Sequence, residues 1–130
     1  MGERFLLDTH TLIWWTFEQH RLSPRSLAAI INAENEIFVS AVSAMEIATK
    51  VRKGRFDIAR PLATQFAVQM LREGFRLVSI SADHAELAGG WDHKHRDPWD
   101  RLLAAQALVE QLTLVTSDEK MPTLGATTYW

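Results

Sequence analysis

Phe5-Leu6-Leu7-Asp8 is a run of three large apolar residues stopped by a carboxylate. The run has no polar alternation, so it predicts a short strand covered on both faces, with Asp8 at its C-terminal end. Thr9 or Thr11 then starts a helix carrying Leu12, Ile13, Trp14, Trp15 and Phe17. The same grammar recurs downstream. Ser23-Pro24 joins an N-cap to a proline at the first helical position, opening a helix through Leu27, Ile30 and Ile31. Ile37-Phe38-Val39 is a second short buried strand. Ser43 and Glu46 have capping-box spacing, which predicts Glu46 in the first turn of a helix holding Ile47 and Val51 and ending near Gly54. Leu62, Phe66, Met70 and Leu71 recur at helical spacing up to Gly74, and Leu77 to Ile80 is a third strand candidate. A short helix is expected over Ser81 to Ala88, a polar loop over Gly89 to Asp97, and a long helix from Pro98 through Val109. Leu112 to Thr116 is a fourth strand, broken at Ser117-Asp118, and Ala126 to Trp130 is a last short one.

Short apolar strands alternating with helices predict a three-layer α/β/α fold around a short, mostly parallel sheet. The 130 residues, 47% of them hydrophobic, suit one domain spanning 1–130 with a substantial core. The chain has no cysteine, which excludes a disulfide framework, a thiol nucleophile and a thiolate zinc site, and fits a reducing cytosol. No stretch approaches the roughly 18 consecutive apolar residues of a membrane span, so a cytoplasmic protein with no membrane partner is expected. Lys and Arg total 14 against 16 Asp and Glu, a net charge of -2. No global positive field advertises a nucleic-acid partner, so any such function must rest on local placement of charge.

In parallel α/β sheets the working crevice lies beyond the C-terminal ends of the strands. Asp8 and Asp118 each follow a strand, Asp100 falls in the first turn of the Pro98 helix, and Glu46 in the first turn of its own helix. Asp97, just before Pro98, is a fifth acid. Singly, each is explained as a helix cap or a turn residue. Together on one rim they would repel one another and raise their pKa values, a cost that a bound divalent metal relieves. Oxygen donors without cysteine favour magnesium or manganese over zinc.

Four segments then carry a family resemblance: Leu6-Leu7-Asp8-Thr9-His10, Ser40 to Lys50, His95 to Ala107, and Leu114-Val115-Thr116-Ser117-Asp118. In this order they resemble the successive motifs of PIN-domain proteins, and among these the VapC toxins of bacterial toxin-antitoxin pairs. The resemblance implies a PIN-like fold and a magnesium- or manganese-dependent ribonuclease acting on RNA. It also implies a homodimer held inactive by a cognate VapB-like antitoxin. It matches Asp8, Glu46, Asp100 and Asp118 to the family's acidic quartet, and Asp97 to the additional acid of an Asp-Pro-aromatic-Asp-Arg block. Trp99 stands where that block often has phenylalanine, Met45 where tryptophan is frequent, and the aromatic expected after Asp118 has no clear counterpart between Glu119 and Thr127.

With metal at such a site, Asp8 and Asp118 are expected to hold the principal ion, Asp100 to join them directly or through water, and Glu46 to orient the attacking water or share a second ion. Thr9, Ser43 and Thr116 flank the acids and are placed to hydrogen-bond carboxylates or water, or to serve only as caps and turn residues. Arg101 is expected to brace an acid rather than reach a phosphate. Lys50, Arg52 and Arg55, with Lys94 and Arg96, could track an RNA backbone, although a solvated helix face accounts for them equally well. His93 and His95 are too few for a zinc site without cysteine and read better as loop or substrate contacts. Trp14 and Trp15, adjacent on a helix, either leave one ring for a partner or pack on its two shoulders. Two rivals stand beside the nuclease. An aspartate-nucleophile phosphatase also has Asp after its first strand, but His10 replaces its usual second Asp. A non-catalytic RNA-binding or scaffolding domain of the same fold would be expected to have lost acids that are all present here.

Overall fold

The computed structural model describes residues 2–130. Strand β1 (Arg4–Leu7) lies at the centre of a five-stranded sheet, in the order β3-β2-β1-β4-β5, with β2 at Glu36–Ser40, β3 at Arg76–Val78, β4 at Thr113–Val115 and β5 at Thr128–Tyr129. Every neighbouring pair is parallel, and Leu6 is in register with Phe38 of β2 on one side and Leu114 of β4 on the other. The apolar run at 5–7 is buried because successive side chains point to opposite faces and both faces are covered. Phe5 and Leu7 join Ile37, Val39 and Val115 in a core beneath α1 (Thr9–Phe17), α2 (Pro24–Ile31), much of α3 (Ala41–Arg52) and α4 (Phe66–Arg72). Leu6 and Leu114 face the second core, packed against α6 (Pro98–Val109), on which α5 (Ala82–Gly90) rests. These are the three layers.

The helix starts position the rim. The first helix starts at Thr9, one of the two expected starts, and Asp8 caps it, its carboxylate accepting from the Thr9 amide. Ser40, the last residue of β2, caps α3 by accepting from the Val42 amide, so strand passes into helix without a loop. The cap therefore lies three residues before the Ser43 cap expected from spacing, and Glu46 falls in the second turn of the helix, not its first. Ser23 caps α2 with Pro24 in the first turn, as anticipated. Gly89 and Gly90 finish α5 instead of opening the loop, which starts at Trp91. Leu62 belongs to a short 3-10 segment, Asp57–Leu62, that contains Pro61. A positive φ of 58° at Gln65 then separates it from α4, so the helical spacing of Leu62 and Phe66 does not reflect one helix. No helix among the described residues is long and apolar enough to cross a membrane.

Candidate active site

The chain runs outward from β1 to β2 and β3, then returns to β4 on the other flank of β1. The gap between the ends of β1 and β4 is therefore the switch point of the sheet, where two connections diverge and leave a crevice. Asp8 and Thr116 stand on its two sides. The Asp8 amide donates to the Val115 carbonyl at 3.1 Å, and the Thr11 hydroxyl donates to the same carbonyl at 2.7 Å, which locks the two strand ends together. A cleft of about 390 Å³ opens above them, lined by Asp8, Glu46, Asp97, Asp100 and Asp118, with His10, Trp14, Lys50 and Ser117. All five candidate acids thus border one cavity, although they come from two helices and two strand ends.

Each acid is held differently. Asp8 is buried (7% exposed), with one carboxylate oxygen accepting from the Thr9 amide and the other from the Thr116 hydroxyl, both at 2.6 Å. Burial drives its pKa up and Glu46 adds to this, opposed by the Thr116 hydrogen bond and by His10. Glu46 (5% exposed) accepts from Lys50 Nζ at 2.6 Å, one helical turn on, and that ammonium also lies 4.9 Å from the centre of the Phe56 ring. Asp97 caps α6, one oxygen receiving the amides of Trp99 and Asp100 at 2.9 and 3.4 Å. Asp100 lies 2.8 Å from His95 Nε2, and burial, with Asp97 and Asp8 adding to it, pushes its pKa up to about 6. Asp118 receives the Lys120 amide on its carboxylate while its own amide donates to Thr116 Oγ1 at 3.0 Å. Mutual repulsion, expected from sequence to be the cause of raised pKa values, is here secondary to burial for both Asp8 and Asp100.

The supporting residues differ from expectation in instructive ways. Thr116 bridges Asp8 and Asp118 with one hydroxyl. Thr9 meets Asp8 through its amide, because its hydroxyl is engaged with Ser43 Oγ at 2.8 Å, and Ser43 therefore joins α1 to α3 without touching an acid. Arg101 braces no acid: its guanidinium donates to the backbone carbonyls of Ala88, Trp91, His93 and His95. Those carbonyls end α5 and line the loop beyond it, where unpaired C=O groups draw a planar five-donor cation more strongly than carboxylates already paired elsewhere. His93 Nδ1 accepts the His95 amide, a local turn contact, while His95 reaches Asp100. Of the basic candidates only Lys50 enters the cleft. Arg52 and Arg55 are exposed at the far end of α3, and Lys94 and Arg96 are exposed on the loop before α6, outside the cleft lining. Trp14 and Trp15 pack on two shoulders of α1, Trp14 against His10 and Trp130, and Trp15 against Phe75.

Residues absent from the expected site are His10, Trp14 and Ser117 in the lining and His95 as the partner of Asp100. The Glu46–Lys50 pair was legible as an i,i+4 spacing. The His95 contact was not, because it depends on the path of an irregular loop. Among the described residues no three acidic or imidazole side chains are drawn together tightly enough to cage an ion. The donor set is nevertheless one of carboxylate oxygens around an open cleft, two of them on acids whose charge is costly, and this chemistry suits a hard divalent cation.

Comparison with known proteins gives a consistent result. A family model described as the PIN domain matches residues 5–126. The chain is 35% identical over 117 residues to a Mycobacterium tuberculosis protein named ribonuclease VapC22, covering 89% of this chain and 88% of that one. Its fold is similar to the crystal structure of VapBC2 from Rickettsia felis, solved bound to a DNA fragment from its promoter, with a TM-score of 0.68, 17% identity and 97% of each chain covered. It is also similar to a toxin-antitoxin complex from Klebsiella pneumoniae, with a TM-score of 0.60, 20% identity, and 89% of this chain and 88% of that chain covered.

Proposed function

Because the chain belongs to the PIN-domain family, we propose that it is a magnesium- or manganese-dependent endoribonuclease, a VapC-type toxin neutralised by a cognate antitoxin. The observation that carries this reading is the gathering of Asp8, Glu46, Asp97, Asp100 and Asp118 around one cleft at the switch point of the sheet. Homology to a ribonuclease of the VapC group supports the reaction class, and likeness to a toxin-antitoxin complex supports the regulatory partner. Residues 1–130 are read as one PIN-like nuclease domain acting in the cytoplasm, as a homodimer.

In this reading Asp8, Asp100 and Asp118 would hold the principal cation, and Glu46 would orient the attacking water or share a second ion. A divalent ion bound there would supply charge neutralisation at the phosphate and acidify a bound water. The protein's own contribution is to fix oxygens. Thr116 and the Thr9 amide hold both Asp8 oxygens, so the carboxylate cannot rotate away from the cleft. The same Thr116 hydroxyl anchors the turn that carries Asp118. His95 orients Asp100, and Lys50 offsets the charge of Glu46 before any cation arrives. Asp97 spends one oxygen as a helix cap, which leaves its other oxygen for water or the cation.

The deciding experiment is cleavage of RNA with mapped ends, with and without magnesium or manganese. Metal-dependent products ending in 5'-phosphate and 3'-hydroxyl are expected, with loss of at least about a hundredfold in kcat for Asp8→Asn or Asp100→Asn in a folded protein. Full activity in both variants would reject the assignment of the site. A trapped aspartyl-phosphate on Asp8 would instead revive phosphatase chemistry.

A further inference from the structure

The cleft has a second wall, which is aromatic. His10 sits two residues beyond Asp8 in the first turn of α1 and is exposed, with its ring against two aromatic neighbours. Trp14, one turn further along the same helix, approaches it at 5.9 Å between ring centres with the planes at 52°, and Phe56 meets it edge-on at 5.5 Å and 76°. Trp14 is fixed in turn by Trp130 at 5.8 Å and by the Arg21 guanidinium 4.8 Å from its ring centre. The imidazole ring, lining the cleft and braced by two aromatic neighbours, is therefore a preorganised π contact beside the acids, at reduced entropic cost to whatever lands on it.

The charge of the cleft explains why such a surface matters. Five carboxylates line it, and Lys50, a cation among its lining residues, is already engaged by Glu46. Even with one divalent cation bound, the five carboxylates outweigh it and Lys50 together, so charge contributes little net affinity close to the cut and contacts that do not depend on charge must add to it. Stacking of a nucleobase on an aromatic ring is such a contact, and any base can make it. It demands that the base be out of a duplex, because a paired base has its faces covered.

We propose that His10, supported by Trp14, is a substrate-positioning residue whose ring stacks an unpaired nucleobase next to the phosphate that a cation at Asp8 would hold. This rests on the ribonuclease reading above and names a base contact within that site.

The test compares two probes: a single-stranded oligoribonucleotide of about ten nucleotides and a fully abasic strand of the same length. Binding is read by fluorescence anisotropy of the labelled probes, with calcium in place of magnesium, for wild type, His10→Ala and His10→Phe. Circular dichroism checks that each remains folded. His10→Ala should weaken binding of the normal strand by about 5- to 100-fold while leaving the abasic strand unaffected, and His10→Phe should restore most of the loss. Equal loss on both probes, or a phenylalanine variant as weak as alanine, would overturn the proposal by assigning the effect to imidazole charge. Base-dependent binding by a wild-type protein that cleaves no RNA would sustain the stacking wall and reject the nuclease. Cleavage indifferent to the base or to His10 would do the reverse.

Discussion

Asp100 sits between opposing influences at the mouth of α6. Burial, and the negative charge of Asp97 and Asp8, favour its neutral form, while the hydrogen bond from His95 favours the carboxylate, and the balance leaves a pKa of about 6 against an ordinary 3.8. The folded state therefore holds this proton more tightly than the unfolded chain does. Its contribution to stability is complete below about pH 4 and is lost as pH rises through about 6. Asp8, also raised by burial, acts in the same direction. In chelator-treated protein the melting temperature should fall over this window, and Asp100→Asn should flatten part of the slope. Thermal scans from pH 4 to pH 7 check this, and parallel profiles for wild type and variant would remove Asp100 as a source. Thr116 shows a different economy at the same scale, one buried hydroxyl serving both Asp8 and the Asp118 turn.

At the scale of elements, the loop between α5 and α6 would be loose if its own residues alone determined it. Arg101, on the side of α6 that meets the end of α5, closes it by donating to four carbonyls between Ala88 and His95, with Trp91 beside its guanidinium. His95 is thereby brought to Asp100. Arg101→Lys replaces a planar fork by a single ammonium that cannot serve carbonyls spread over this span. We expect a stability loss of about 2 kcal/mol, and faster amide exchange confined to residues 88–97. Hydrogen exchange read by mass spectrometry tests the location, and unchanged protection in that segment would show that the loop is held by other contacts. The helix starts obey a related logic. Because Asp8 and Ser40 end strands and cap helices at once, the polar rim is built from junctions with no intervening loop to vary.

For the whole molecule, the parallel order β3-β2-β1-β4-β5 decides where chemistry collects. Residues 108 positions apart, Asp8 and Thr116, meet because β1 and β4 are neighbours in register. The concentration of acids at that junction costs stability whenever they are charged and unneutralised. Divalent cation should recover it: magnesium or manganese at about 100 times its Kd is worth about 2.7 kcal/mol, several degrees in melting temperature for a chain of this size. The rise should be larger at pH 7 than at pH 5, because Asp100 is mostly protonated at the lower value. Asp8→Asn combined with Asp118→Asn should abolish it. An equal rise in the double variant would locate the cation elsewhere.

The amino-acid sequence by itself determined the periodicities: three apolar residues before Asp8, a repeat of short strands and helices, and acids at strand ends and helix starts. These follow from local rules, since burial on both faces demands unbroken apolar runs and capping demands short polar side chains. What failed was also local in cause. Ser43 was a plausible cap, but a strand running straight into α3 made Ser40 the cap and moved Glu46 by most of a turn. Only the tertiary structure decided who meets whom: Arg101 with the loop carbonyls rather than an acid, His95 with Asp100, and His10 with Phe56. Such partners lie across irregular segments, where no periodicity records the path of the chain. Their choice rests on competition among all the groups that folding brings within reach.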